Sequence, residues 1–156
     1  MRINKDDYYL KIAEACSMRS TCLRVKYGSV IVKNDRIVST GYNGSPSGSP
    51  NCDDVGECYR IKHDIPHFTR YETCKSVHSE MNAVISASRS DMLGSTLYLT
   101  GIDNNNLYVE ADCCPMCKRV VINAGIKRVV FRTKVGGTRS IDVSKWVTEC
   151  SFDSTE

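Results

Sequence analysis

Val77-His-Ser-Glu-Met-Asn82 and, further along, Cys114-Pro-Met-Cys117 are the stretches on which the reading of this chain turns. His78, Cys114 and Cys117 supply three soft metal ligands, and Glu80 supplies a carboxylate that is not one of them. A structural zinc is closed by four protein ligands, whereas a catalytic zinc has three and keeps a position open for water. Cys114 and Cys117 fall within one turn of a helix start, where the dipole and free N–H groups favour the thiolate. His78 completes the set as a neutral imidazole, and a water in the open position would have its pKa lowered toward about 7. Glu80 is placed to take that water's proton, deliver it to a substrate and help a leaving group depart, which is general acid–base work. A zinc knuckle with an idle Glu80 is the bland alternative, but a knuckle normally has its fourth ligand.

Outward from these motifs the chain alternates helix and strand. Tyr9, Ile12, Ala13 and Cys16 recur at helical spacing and predict a helix from Asp7 to about Met18, capped by Asp6. Gly28–Lys33 and Arg36–Gly41 are rich in β-branched residues and are split by Asn34-Asp35, a hairpin by its turn chemistry. Gly41–Gly48 is a loop, and residues 49–74 carry no clean period, so a functional or metal-tied segment is expected there. A helical pattern runs from His78 to Arg89. It is followed by a strand at Ser95–Gly101, a polar loop at Ile102–Asp112, and a helix at Cys114–Ala124 that Gly125 stops. Arg128–Arg132 is a fourth strand, Arg139–Val143 a short edge strand, and Val143–Cys150 a closing helix. This order predicts a three-layer α-β-α fold, a central mixed sheet with helices on both faces that carry His78 and the cysteine pair to one end.

Composition narrows the function classes. At 156 residues the chain is expected to form one domain spanning 1–156. A net charge of +3 with no basic tract argues against long nucleic acid as a partner. No apolar run approaches the roughly 18 residues of a membrane span and no signal peptide is visible, so a cytoplasmic protein is expected. Thiols stay reduced there, and nine cysteines read as metal ligands rather than a disulfide framework.

The ordered pair H-x-E and P-C-x-x-C is the mark of zinc deaminases acting on nucleobases. With Arg19-Ser-Thr-Cys22, Gly41-Tyr-Asn-Gly-Ser-Pro-Ser-Gly48, Asn51-Cys-Asp53 and Asn123-Ala-Gly-Ile126, the chain resembles the deoxycytidylate (dCMP) deaminases of the cytidine deaminase superfamily. The resemblance implies zinc-dependent hydrolysis of dCMP to dUMP and ammonia, feeding thymidylate synthesis, in a protein that forms homo-oligomers, a hexamer above all. It places Asn43 against the sugar; by position, Arg24 and Lys26 are expected to meet the 5′-phosphate, the alternative being exposed hairpin-entry charges, and the Ser79 N–H, at a helix start, to bond the pyrimidine carbonyl. It associates the loop around Tyr42 and Gly44 with activation by dCTP and inhibition by dTTP. It also implies a second, structural zinc on Cys22, Cys52, Cys58 and Cys74, with His63 or His67 as substitutes; four thiolates would close a tetrahedral site. Two residues depart from the family pattern: Cys113 stands where proline is usual, and Ser79 where alanine is. The competing readings are another deaminase of the superfamily and a non-catalytic zinc protein that binds nucleotide. Deaminases of polymers need a basic groove or stacking aromatics, and three Phe and one Trp with no basic run do not supply them.

Overall fold

The computed structural model describes residues 1–149. Its strands are β1 (Val25–Lys33), β2 (Arg36–Tyr42), β3 (Thr96–Asp103), β4 (Arg128–Arg132) and β5 (Thr138–Asp142). They form one sheet in the order β2-β1-β3-β4-β5. Only β3 and β4 run parallel; the other neighbours are antiparallel, so the sheet is mixed as expected. Asn34 and Asp35 close the hairpin with φ of 50° and 60°, the left-handed pair that a two-residue turn requires and that these residue types tolerate.

The helices are α1 (Lys5–Ser17), α2 (Cys52–Val55), α3 (Tyr59–Lys62), α4 (Ser79–Ile85), α5 (Arg89–Met92), α6 (Pro115–Ala124) and α7 (Ser144–Thr148). Alternation along the strands splits the core in two. Tyr9, Leu10 and Ala13 of α1 pack on Val30, Val32, Tyr98 and Val130 on one face. Ala83 of α4 and Cys117 and Val121 of α6 cover Ile31, Leu97, Leu99, Val129 and Phe131 on the other. This is the three-layer arrangement that the helix and strand order predicts.

Two glycines let helices sit directly on the sheet. A Cβ on Gly28 would lie 1.9 Å from the Ala13 carbonyl oxygen of α1. On the opposite face, a Cβ on Gly41 would lie 2.3 Å from the Ser79 carbonyl oxygen and 2.6 Å from the Ala83 nitrogen of α4. Gly41 therefore fixes the height of α4 above β2.

Three expectations change. The cap of α1 is Asn4, whose side chain accepts from the Asp7 N–H at 2.8 Å. Asp6 is drawn away instead, by a two-pronged contact from Arg128 at 2.7 and 3.2 Å and by the Tyr98 hydroxyl at 2.9 Å. The helix that starts after His78 ends at Ile85, because Ser88 caps a separate turn by accepting from the Asp91 N–H. The closing helix spans Ser144–Thr148, and its expected end at Cys150 lies outside the described residues. Among the described residues no helix is long and apolar enough to cross a membrane.

Candidate active site

His78 and Cys114 are the N-cap residues of α4 and α6, so two helix starts deliver the donor groups. Pro115 occupies the first helical position of α6, where a missing N–H costs nothing. The Cys114 sulfur accepts from the Cys117 N–H at 3.4 Å, folding the Cys-x-x-Cys turn around a common point. His78 Nδ1 lies 3.4 Å from the Cys114 Sγ and 3.3 Å from the Cys117 Sγ. All three donor atoms fall within 4.8 Å of one another, and no other such group of His, Cys, Asp or Glu occurs among the described residues.

The set fits zinc on geometry as well as on donor type. Bond lengths of about 2.3 Å to sulfur and about 2.0 Å to nitrogen in a tetrahedron require S···N edges of about 3.5 Å. The two observed edges are within a few tenths of that. Two sulfurs and an imidazole are also the soft donors that select zinc over magnesium or calcium. A hydrogen bond from the Cys117 thiol, with help from the His78 ring, pulls the Cys114 pKa down to about 4 and raises that of Cys117.

Glu80 lies in the first turn of α4 and is 4% exposed. Its Oε2 is 3.6 Å from the Cys117 Sγ and 3.4 Å from the Ser79 Oγ. Burial raises its pKa, and the His78 ring only partly opposes this. A carboxyl that holds its proton more tightly than usual suits a group that must both accept and return one. Cys113 stays out of the donor set: it is 1% exposed, and burial followed by the Glu80 charge keeps its thiol protonated.

One pocket gathers His78, Ser79, Glu80 and Cys114 with Asn43, Arg24, Arg60, His67 and Tyr71. Asn43 is more committed than its sequence position implies. Its Oδ1 accepts from Ser20 Oγ at 2.5 Å and from the Tyr27 N–H at 2.8 Å, and its Nδ2 donates to the Val25 carbonyl at 3.0 Å. One Nδ2 hydrogen is left for a ligand. Lys26 is not among the lining residues, because Val25 and Tyr27 point into the pocket and strand alternation turns Lys26 the other way. Arg60 is the basic residue that sequence reasoning missed. It is 3% exposed, donates to the Arg70 and Pro66 carbonyls at 2.8 and 2.6 Å, and lies over the Tyr71 ring. Tyr71 in turn meets the His78 ring edge-on at 4.9 Å. Arg24 donates to the Ile65 carbonyl, and among the described residues neither arginine has a carboxylate partner. His67 is held neutral by burial first and by the two arginine charges next.

The loop around Tyr42 and Gly44 runs beside this pocket. Gly44 pairs with Val77 through N–H···O bonds of 3.2 and 2.8 Å, and Asn82 donates to the Tyr42 carbonyl at 2.7 Å, so the loop is tied to the residues flanking His78. Cys52, Cys58 and Cys74 line one hollow, and Cys22 and Cys74 line the active-site pocket next to it. No three of those four sulfurs come within ligand distance of one another. His63 packs its ring against Tyr59 at the surface.

A His-Cys-Cys donor set beside a buried carboxylate that is not a ligand, on a mixed sheet between helix layers, defines the zinc deaminase class. The family described as the cytidine and deoxycytidylate deaminase zinc-binding region matches residues 3–133, and the chain belongs to that family. It is similar to the deoxycytidylate deaminase of Mycobacterium phage D29, 36% identical over 130 residues that cover 81% of this chain and 92% of the relative. The Schizosaccharomyces pombe deoxycytidylate deaminase is 32% identical over 130 residues, 82% of this chain but 37% of that longer protein. Among solved structures, the dCMP deaminase of cyanophage S-TIM5 in complex with dCMP and dUMP superposes with a TM-score of 0.60 at 30% identity, covering 85% of this chain and 84% of that one.

Proposed function

We propose that the protein hydrolyses the exocyclic amine of dCMP, giving dUMP and ammonia. The observation that carries this reading is the position of Glu80, buried and beside a three-donor metal set that includes Cys117, in a pocket that also holds two arginines without carboxylate partners. When bound by His78, Cys114 and Cys117, zinc supplies an acidified water as nucleophile. Glu80 accepts that water's proton and transfers it to the ring nitrogen beside the amino-bearing carbon, then takes the remaining proton of the added hydroxyl and passes it to the departing amine. The Ser79 N–H, in the first turn of α4 and free of an intrahelical acceptor, takes the pyrimidine carbonyl. Asn43 offers its remaining Nδ2 hydrogen to the sugar. Arg24 and Arg60 bind the 5′-phosphate, where charge-assisted bonds are stronger than neutral ones.

The similarity to dCMP deaminases supports the rest of the assignment. A second zinc draws Cys22, Cys52, Cys58 and Cys74 together from their neighbouring positions, and the protein acts in the cytoplasm as a homo-oligomer, a hexamer by family habit. dCTP activates and dTTP inhibits through the loop at Tyr42 and Gly44, whose ties to Val77 and Asn82 give it a route to His78. Ammonia release from dCMP, cytidine and a deoxycytidine oligonucleotide tests the substrate. Turnover of dCMP at least about 10²-fold better in kcat/KM than of deoxycytidine is expected, about 2.7 kcal/mol of transition-state stabilisation. Equal turnover of the nucleoside, or activity on the oligonucleotide alone, would overturn it.

A further inference from the structure

We infer that Ser29 and Ser79 form a buried hydroxyl relay that holds the Glu80 carboxylate in its working orientation; this rests on Glu80 as the proton carrier. Ser29, on β1, and Ser79, at the start of α4, are both 0% exposed, and their Oγ atoms are 2.7 Å apart. Ser79 Oγ also lies 3.4 Å from Glu80 Oε2. The two hydroxyls meet because Gly41, the β2 partner of Ser29, has no side chain to keep α4 off the sheet.

Proton accounting fixes the direction of the relay. Each hydroxyl has one hydrogen to donate. If Ser79 donated to Ser29, the Ser29 hydrogen would be buried with no acceptor among the described residues, a costly arrangement. The reverse leaves nothing unpaired: Ser29 donates to Ser79, and Ser79 donates to Glu80 Oε2. That oxygen also has the Cys117 thiol at 3.6 Å, and the Cys113 thiol bonds the same carboxylate. A cysteine serving as a metal ligand is a thiolate and donates nothing. Ser79 then becomes the hydroxyl donor that holds Oε2.

The relay makes Ser29 and Ser79 positioning residues. Ser79→Ala keeps the backbone N–H but frees the carboxylate to rotate, and Ser29→Ala leaves the Ser79 hydroxyl without its donor. We expect Ser79→Ala to lower kcat for dCMP about 5- to 10-fold with KM unchanged within about twofold. Ser29→Ala should lower it in the same sense, and the double variant should fall no further than Ser79→Ala, since residues in one network are not additive. A spectroscopic readout does not depend on turnover: the Glu80 carboxylate stretch, identified by its absence in Glu80→Gln, should shift in the resting protein on Ser79→Ala. Ser39→Ala is the control, because Ser39 bonds only the Ala83 carbonyl at 2.6 Å and should cost melting temperature without changing kcat. If dCMP is turned over normally by both serine variants and the infrared band stays put, the relay is wrong while the proposed activity stands. A wild-type protein inert toward dCMP would sink both, and additive losses from the two serines would sink the relay alone.

Discussion

Gly41→Ala separates the packing that builds the site from the packing that merely holds the fold. The new Cβ would sit 2.3 Å from the Ser79 carbonyl oxygen and 2.6 Å from the Ala83 nitrogen, both backbone atoms of α4 that cannot rotate away. Restoring ordinary contact lifts α4 by roughly 1 Å, and α4 carries Glu80 and is capped by His78; a misplacement of that size costs about 10²-fold in rate. Overpacking of this kind also costs about 1–3 kcal/mol of stability, a few degrees in Tm for a chain this long. Gly28→Ala is the matched control. Its Cβ would meet the Ala13 oxygen at 1.9 Å and the Ser17 nitrogen at 2.6 Å, a clash at least as severe, but against α1 on the face that bears no site residue. Steady-state kinetics with dCMP, normalised to folded and zinc-loaded protein, should show Gly41→Ala down about 10²-fold and Gly28→Ala within about threefold of the parent. Both should melt earlier. A folded Gly41→Ala with parental kcat, or a Gly28→Ala that loses as much, would refute the reasoning.

Arg24→Ala should cut the preference for dCMP over deoxycytidine by about tenfold, the worth of a charge-assisted bond, while Lys26→Ala leaves it unchanged. Elemental analysis of wild-type protein should find two zinc ions per chain, and Cys74→Ser should lose one of them together with stability, because metal binding is coupled to folding. One zinc in both proteins would remove the second site. Asp6→Asn should destabilise the fold by about 1 kcal/mol or less at neutral pH, since the Arg128 pair is partly exposed. The Arg128 hydrogen bond holds the Asp6 pKa below its ordinary 3.8, so the contribution is complete above that value and is lost as pH falls through the depressed folded value. Denaturant melts of parent and variant should therefore converge in acid and differ from about pH 5 upward.

Much of the donor set was legible because its signals are local. Each half of the motif opens a helix, so spacing alone placed His78, Cys114 and Cys117 at helix starts, and Gly125 with φ of 81° ends α6 as its position implied. The hairpin was equally plain, since Asn34 and Asp35 can hold the left-handed turn that few other residues accept. What the sequence hid depends on distant partners. Asp6 looked like a cap, but a residue 122 positions away recruits its carboxylate and leaves the cap to Asn4. Arg60 sits in a stretch without period, and its role follows from contacts with Pro66, Arg70 and Tyr71 that no pattern announces. Ser29 read as one more strand residue until α4 brought Ser79 to it. Lys26 and Arg24 are two positions apart on paper, but Arg24 lines the pocket and Lys26 lies on the strand face turned away from it.

The central claim is that Glu80 moves protons beside a metal held by His78, Cys114 and Cys117 without being a ligand itself. The most direct test is dCMP turnover, followed by ammonia release, in wild-type and Glu80→Gln protein of matched zinc content. The account predicts that Glu80→Gln retains its zinc and still binds dCMP but loses at least about 10³-fold in kcat. Activity close to the parent's would contradict the proton-carrying role, and loss of the zinc from Glu80→Gln would make Glu80 a ligand instead.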